Sequence, residues 1–500
     1  MYRTHLAWWL RWLVFVAVIP LSVRAQSQDT TSSATSACLT CHRTVTPGIV
    51  ADWERSRHAS VTPAQGLARK ELSRRISAAD VPDSLARVVV GCAECHSQLA
   101  ESHQDTYLHS SYRIHTVVTP PDCGVCHPDE QGQYGMNLMS HAHVNLAKNP
   151  LYKQLMTSIN GTERLSGDSL VIESPDSLTT GQSCYFCHGT NVAVAAFTSR
   201  KTIFGEMTFP DLTGWPNRGV GRLNPDGSKG ACTPCHARHQ FAIEVARQPY
   251  TCSECHKGPD VPAYKVYRVS KHGNIFSSLK STWNFDNVPW TVGEDFSAPS
   301  CAVCHISLVD DKNGNLVARR THQMNDRLYV RLFGLIYAHP HPRSPATHLI
   351  TNDNGLPLPT ELDGDLAAKA LINEDEQDRR KNTMQKVCLA CHSTQWVDKH
   401  FDILDQVTRS TNERTLAATE ILQQAWSEGL AAGPGVQGNP FDEAIEKLWV
   451  RQWLFYANSV RLSGAMAGAD YGVFADGRWW LADNLRQLHD LWKLLKTMER

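Results

Sequence analysis

Every cysteine in this chain falls in the same pentapeptide, Cys-x-x-Cys-His, and the pentapeptide occurs eight times. The motifs are Cys38/Cys41/His42, Cys92/Cys95/His96, Cys123/Cys126/His127, Cys184/Cys187/His188, Cys232/Cys235/His236, Cys252/Cys255/His256, Cys301/Cys304/His305 and Cys388/Cys391/His392. Two thiols three positions apart reach the two vinyl groups of one porphyrin, and the next residue offers an imidazole to its iron. The motif is therefore an attachment site for a c-type haem. A single copy would also suit zinc or a redox dithiol. Eight copies that use all 16 cysteines do not. A disulfide framework is excluded too, since bridges within the motifs would be strained and would leave eight histidines unexplained.

Eight macrocycles supply much of an apolar core, so long irregular stretches can be ordered by contact with them. The 31 glycines and 25 prolines suit such a wrapping chain. A net charge of −1, without a basic run, gives no reason to expect a nucleic-acid partner. At the start, basic residues precede the apolar run Leu13 to Leu21 and then Val23-Arg24-Ala25. This reads as a secretory signal peptide over 1–25, cleaved after Ala25. Export agrees with haem attachment outside the cytoplasm, and a periplasmic location is expected.

The first cysteines of successive motifs are separated by 54, 31, 61, 48, 20, 49 and 87 residues. Such uneven spacing argues against a tandem module and for one octahaem domain over 26–400. The step of 20 predicts close approach of the fifth and sixth haems. Beyond His400 there is no cysteine and only His489, and helical patterns take over in 401–500. Thr411 to Gly429 is helical in composition, and Asn439-Pro440 reads as a cap and first position, with Asp442 and Glu443 in the first turn. Apolar stripes follow at Ile445, Leu448, Trp449, Trp453, Tyr456 and Val460, then at Leu481, Leu485, Leu488, Leu491, Trp492 and Leu495. The expected fold is mainly α with little sheet: a multihaem cytochrome c domain followed by a C-terminal bundle of long helices for packing or oligomerisation.

An iron with two imidazoles only moves electrons, whereas one with an open sixth position binds and transforms a small molecule. Fourteen histidines lie outside the motifs and the leader, enough to fill seven or eight sixth positions, so the count leaves both possibilities open. His58, His272, His322 and His341 are the better candidates for distal ligands. His239 follows motif ligand His236 by three residues. It is either a sixth ligand on a neighbouring haem or a proton donor above an open one.

The strings Gly219-Val-Gly-Arg-Leu-Asn-Pro-Asp-Gly-Ser-Lys-Gly-Ala-Cys-Thr-Pro-Cys-His-Ala-Arg-His239, Thr251-Cys-Ser-Glu-Cys-His-Lys-Gly-Pro-Asp260, Ser270-Lys-His-Gly-Asn-Ile275 and Val387-Cys-Leu-Ala-Cys-His-Ser393 resemble the octahaem hydroxylamine oxidoreductase family. The resemblance runs from the first motif into the helical C-terminus. It implies a helical, usually trimeric enzyme with seven bis-histidine haems and a substrate haem at the fourth motif, Cys184/Cys187/His188. In oxidising members a tyrosine from the adjacent subunit is bonded to that haem, and Tyr471 matches best, with Tyr456 behind it. The family's Trp-His-Gly after this tyrosine is replaced here by Gly472-Val-Phe-Ala-Asp-Gly477-Arg-Trp-Trp. No Cys-x-x-Cys-Lys occurs, which disfavours the lysine-ligated nitrite reductases.

The leading expectation is hydroxylamine oxidation at the fourth haem. His239 and a carboxylate, Asp226 or Asp211, would assist proton removal, and electrons would pass to a small c-type cytochrome or a quinone-linked partner. Reduction of nitrite or hydroxylamine to ammonium, hydrazine oxidation, and pure electron transfer by eight filled irons are the alternatives.

Overall fold

The structure, a computed structural model, describes residues 30–434 and 438–498. The signal-peptide residues lie outside them. The described chain is mainly helical, but its helices are of two kinds. Through the first 370 residues they are mostly short, and several motifs form one turn of their own, as at Cys92–His96, Cys184–His188 and Cys301–His305. A helical turn sets the two cysteines on one face and the histidine beside them, the arrangement a porphyrin edge requires.

The long helices lie towards the C-terminus. Glu374–Leu389 starts at Asn373, whose side chain accepts from Glu376 N, and Glu374, Asp375 and Glu376 in its first turn complement the helix dipole. Thr394–Ser427 runs 34 residues from a Ser393 cap straight through position 400. Its buried face carries Val397, Phe401, Leu404, Ala418, Leu422 and Ala425, with threonines between them. Thr411, Thr415 and Thr419 each donate their hydroxyl to the carbonyl four residues back, at 2.6, 3.0 and 2.9 Å, which lets polar side chains sit in an apolar stripe.

The segment after the glycine-rich turn departs from expectation. The helix begins at Ala444 with Glu443 as its cap, not at Pro440. Asn439 instead accepts from Phe441 N and donates to Gln154 O and Ser158 Oγ, tying the loop to an upstream helix. Ala444–Val450 passes through a π-turn, Arg451–Tyr456, into Ala457–Met466. The wide turn lets Gln452 point inward, where it donates to Leu481 O at 3.1 Å and accepts from Asn484 at 2.7 Å. Of the predicted stripe, Ile445, Trp449, Trp453 and Val460 are buried, while Leu448 and Tyr456 are half-buried. The last helix, Arg478–Met498, buries Leu481 and Leu488 fully. The apolar side chains of these C-terminal helices share one cluster with Leu155, Leu335, Ile336, Tyr337 and Leu358 from the haem-motif region.

Sheet is confined to small pieces, but two hairpins flank the fourth motif. Thr162–Ser166 pairs with Ser169–Glu173, and Ala193–Thr202 pairs with Gly205–Thr213. The strands of the second are ten and nine residues long, and Ile203 and Phe204 are exposed at its tip. Among the described residues no helix is long and apolar enough to cross a membrane.

Candidate functional site

The eight motifs fall into a definite order of neighbours. Cys38 and Cys92 touch through their thiols, which holds Cys38 down to about 7. Cys123 and Cys232 make the same contact, as do Cys187 with Cys255 and Cys252 with Cys301. Burial raises the thiols of Cys95, Cys235 and Cys304, and next in effect come the charges of Cys123, Cys252 and Cys388 respectively. The line of motifs is thus one, two, three, five, six, seven, eight, and the fourth joins it sideways at the sixth. The short step from Cys232 to Cys252 does bring the fifth and sixth together.

Not every motif cysteine meets a second motif, and Cys41 is one that does not. It sits half-buried in the helix Ser33–Val45, and of the first motif's two thiols Cys38 makes the contact with the second. A motif at the end of a line has a neighbour on one side only. Cys41 still lies one helical turn from Cys38, so the pair remains suited to one porphyrin edge.

Imidazole nitrogens bond a first-row transition metal at about 2.0 Å, so two rings on opposite faces of one iron have centroids roughly 6 Å apart. Four motif histidines face another histidine at that separation. His42 stands 6.2 Å from His109, His127 6.4 Å from His58, His236 6.3 Å from His322 and His392 6.1 Å from His272. His109, His322 and His341 each bury a ring nitrogen that has no hydrogen-bond partner, as does His339 at Nε2. His339 Nδ1 donates to Pro340 O at 2.6 Å, which fixes the tautomer and leaves Nε2 as the free lone pair. Buried donor sets in pairs at this spacing fit haem irons.

His96 is also 6.1 Å from His115, but its Nδ1 donates to the His115 carbonyl at 2.8 Å, so its Nε2 faces the other way. Burial drives His96 down to about 4, and His239 is among the charges that act on it. His239 is thus within electrostatic reach of the second motif. Burial pushes His341 well down, and His305 is one of the groups acting on it.

The fourth motif is built differently. Gly189, directly after His188, has φ +93° and packs backbone to backbone on Gly221 and Arg222, so a Cβ there would collide. Gly219 and Gly221 are equally confined, and Val220 N donates to Cys187 O at 3.0 Å. The Gly-Val-Gly-Arg string is thus the wall behind this motif. Burial depresses His188, and the Asp260 carboxylate is the largest opposing influence, with His256 and Arg331 also acting on it. Asp260 acts on Cys187 and His256 as well. Arg331 buries its Nε without a hydrogen-bond partner. Asp260 and Arg331 are the acid and the arginine whose charges reach His188, and His143 Nδ1 donates to Gly189 O at 2.6 Å beside it.

Asp260 was missed in the sequence, although it closes the string Cys-His-Lys-Gly-Pro-Asp after the sixth motif. The structure places the two carboxylates chosen instead elsewhere. Asp226 accepts from Ser228 N and Oγ at 2.9 and 2.6 Å in its own turn, and its other oxygen is 2.8 Å from Thr119 Oγ1. Asp211 pairs with Ala196 in the exposed hairpin. Tyr471 is half-buried in the short helix Ala469–Val473, its hydroxyl raised by burial and by Asp476, and Tyr456 stacks on Trp480 at 6.4 Å.

Family models agree with this architecture. "Seven times multi-haem cytochrome CxxCH" matches residues 225–328 and 365–439, and "Cytochrome c554 and c-prime" matches 37–128. A solved structure described as a hypothetical multiheme protein superposes with a TM-score of 0.87 at 39% identity, covering 94% of this chain and 97% of that one. The chain belongs to the multihaem c-type cytochromes. A chain of the reducing HAO-like protein complex of Kuenenia stuttgartiensis shares the fold, with a TM-score of 0.61 at 19% identity over 93% of this chain and 86% of that one. A probable nitrite reductase-hydroxylamine oxidoreductase fusion protein of the same organism is 24% identical over 428 residues, 81% of this chain. The match spans only 39% of that relative's length.

Proposed function

We propose that the chain is a periplasmic redox enzyme of eight covalent haems that oxidises a small nitrogen compound, hydroxylamine, on the haem of Cys184, Cys187 and His188. The observation that supports this reading is the pair of charged groups, Asp260 and Arg331, that act on His188. His109, His58, His322 and His272, which face motif histidines, would serve as distal ligands for motifs one, three, five and eight, and His239, His339 and His341 would serve motifs two, six and seven. The fourth motif would then keep an open position beside Asp260 and Arg331. An iron with one open position supplies a binding site and an electron acceptor.

Around it the chain's own groups have separate tasks. His188 holds the proximal side. The Asp260 carboxylate accepts protons as hydroxylamine loses them, and Arg331 holds the negative charge of an oxygenated product. Electrons leave through the sixth motif into the line of neighbours and on to a small c-type cytochrome or quinone-linked partner. A homotrimer, with Tyr471 of one subunit meeting the fourth haem of the next, is part of the same reading.

The reverse direction, from nitrite or hydroxylamine toward ammonium, has its own support. The residues after Tyr471 depart from the oxidising pattern, and a buried arginine suits an anionic substrate. The test is carbon monoxide titration of the reduced protein. One equivalent bound per chain is expected, and none would leave an electron carrier only.

A further inference from the structure

A sealed cluster of two histidines and two carboxylates between the second and third motifs has no part in the activity above. His103, Asp105, His115 and Asp122 have side chains with essentially no exposure. One oxygen of Asp122 lies 3.3 Å from His103 Nε2 and the other 3.5 Å from His115 Nε2. The two rings stack with centroids 3.6 Å apart and planes within 4°. His103 Nδ1, Asp105 Oδ1 and both ring nitrogens of His115 are buried without a hydrogen-bond partner. Native interiors leave only a few such atoms per hundred residues, and here four gather at one spot. Among the described residues no lysine or arginine pairs with Asp105, Asp122 or the adjacent Asp226.

These distances are long for a hydrogen bond between an imidazole and a carboxylate. They match ligands around a metal, since bonds of about 2.0 Å in a tetrahedron set neighbouring donors roughly 3.3 Å apart. The surroundings fit as well. A metal-bound histidine usually gives its other N–H to a carboxylate, and Asp105 stands 3.5 Å beyond His103 Nδ1. Asp105 is itself fixed by Thr116 N and Val117 N at 2.9 and 2.8 Å. Asp122 is fixed by Thr119 N at 2.8 Å, and Thr119 Oγ1 lies between Asp122 and Asp226.

We propose that His103 Nε2, His115 Nε2 and the Asp122 carboxylate bind one divalent transition-metal ion of the zinc kind, separate from any haem iron, with Asp105 orienting His103. The ligand atoms all lie within 4.8 Å of one another. Two nitrogens and a carboxylate suit zinc or a borderline neighbour better than calcium or magnesium. Two buried carboxylates share His103 as a nearby cationic group, and a dication would balance them more fully. Binding splays the stacked rings so that their lone pairs converge. Because the cluster is sealed, the ion enters as the chain folds.

The test uses the complete haem-loaded protein expressed in zinc-supplemented medium and exhaustively dialysed. Metal analysis should find one zinc per chain beyond the iron, and anomalous diffraction at the zinc edge should place it among His103, His115 and Asp122. His103→Ala and Asp122→Asn should lose that equivalent, while His489→Ala keeps it. Absence of non-haem metal in the wild-type protein, after expression with zinc, cobalt or manganese, would overturn the proposal. So would an anomalous peak elsewhere. The wild-type diffraction result stands even if a variant fails to fold.

Discussion

His96 and His115 hold each other by two reciprocal bonds: His115 N donates to His96 O at 2.9 Å, and His96 Nδ1 donates to His115 O at 2.8 Å. The second bond uses the backbone of residue 115, not its ring. Replacing the His115 ring should therefore leave the second haem six-coordinate, whereas His239→Ala should open it. The check is carbon monoxide stoichiometry on the reduced protein. His239→Ala is expected to bind one more equivalent than wild type and His115→Ala no more, and the opposite pattern would make His115 the distal ligand.

Asp260 acts on the fourth motif from the side of the sixth. Asp260→Asn removes its proton-accepting capacity with little change in volume. Turnover of hydroxylamine should fall by about 10²- to 10⁴-fold, the usual contribution of a placed acid or base. Carbon monoxide stoichiometry should not change. Unaltered turnover would remove Asp260 from the chemistry.

The tyrosine question has a direct readout. In an oxidising enzyme, proteolysis and mass mapping should find the Cys184–Cys187 haem peptide joined to the Tyr471 peptide, and Tyr471→Phe should release it. A free haem peptide in the wild-type protein assigns the enzyme to the reductive direction, with nitrite as the first substrate to assay.

Leu422 and Leu488 are fully buried in the cluster shared by the C-terminal helices and the motif region. Truncation of either to alanine should cost about 2–5 kcal/mol. Thermal unfolding followed by far-ultraviolet circular dichroism measures it, and visible spectra of the folded variants should match wild type.

Glu376 is held down to about 2, first by its hydrogen bond to Arg379 and also by Arg380, against an ordinary value near 4.5. A carboxyl with a depressed folded-state value stabilises the protein above its unfolded value and loses that effect as pH falls towards the folded one. Thermal stability should therefore drop between pH 4.5 and 2 more steeply in wild type than in Glu376→Gln. Parallel curves would show that the cluster contributes nothing.

What the sequence disclosed follows from how local each signal is. A haem motif is complete within five residues, so all eight positions could be read directly. Which thiols meet across motifs is a tertiary matter, and nothing in the pentapeptide distinguishes Cys41 from Cys38. Distal ligands come from remote segments across a porphyrin plane. His58, His272 and His322, chosen for flanking context, do face motif histidines. His109, in the short strand Tyr107–His109, carried no local mark, and His339 was passed over for its neighbour His341. His239 could be read only from its distance along the chain from His236, which left open a ligand on a neighbouring haem and a proton donor above an open one. The Asn439-Pro440 pair has the composition of a cap, but tertiary bonds to Gln154 and Ser158 take Asn439 away from that role. The hairpin at Ala193–Thr202 was legible in principle from its threonines and phenylalanine and from Gly205 at the turn.

The sideways attachment of the fourth motif at the sixth, with motifs continuing both ways from that junction, makes the molecule a three-terminal circuit rather than a cable. Charge delivered at the junction has two drains. One ends at the first motif, the other at the eighth beside the long helix. On the proposed reading such a layout would hold several electrons from one turnover before any acceptor arrives, and damage to either arm would leave the other conducting.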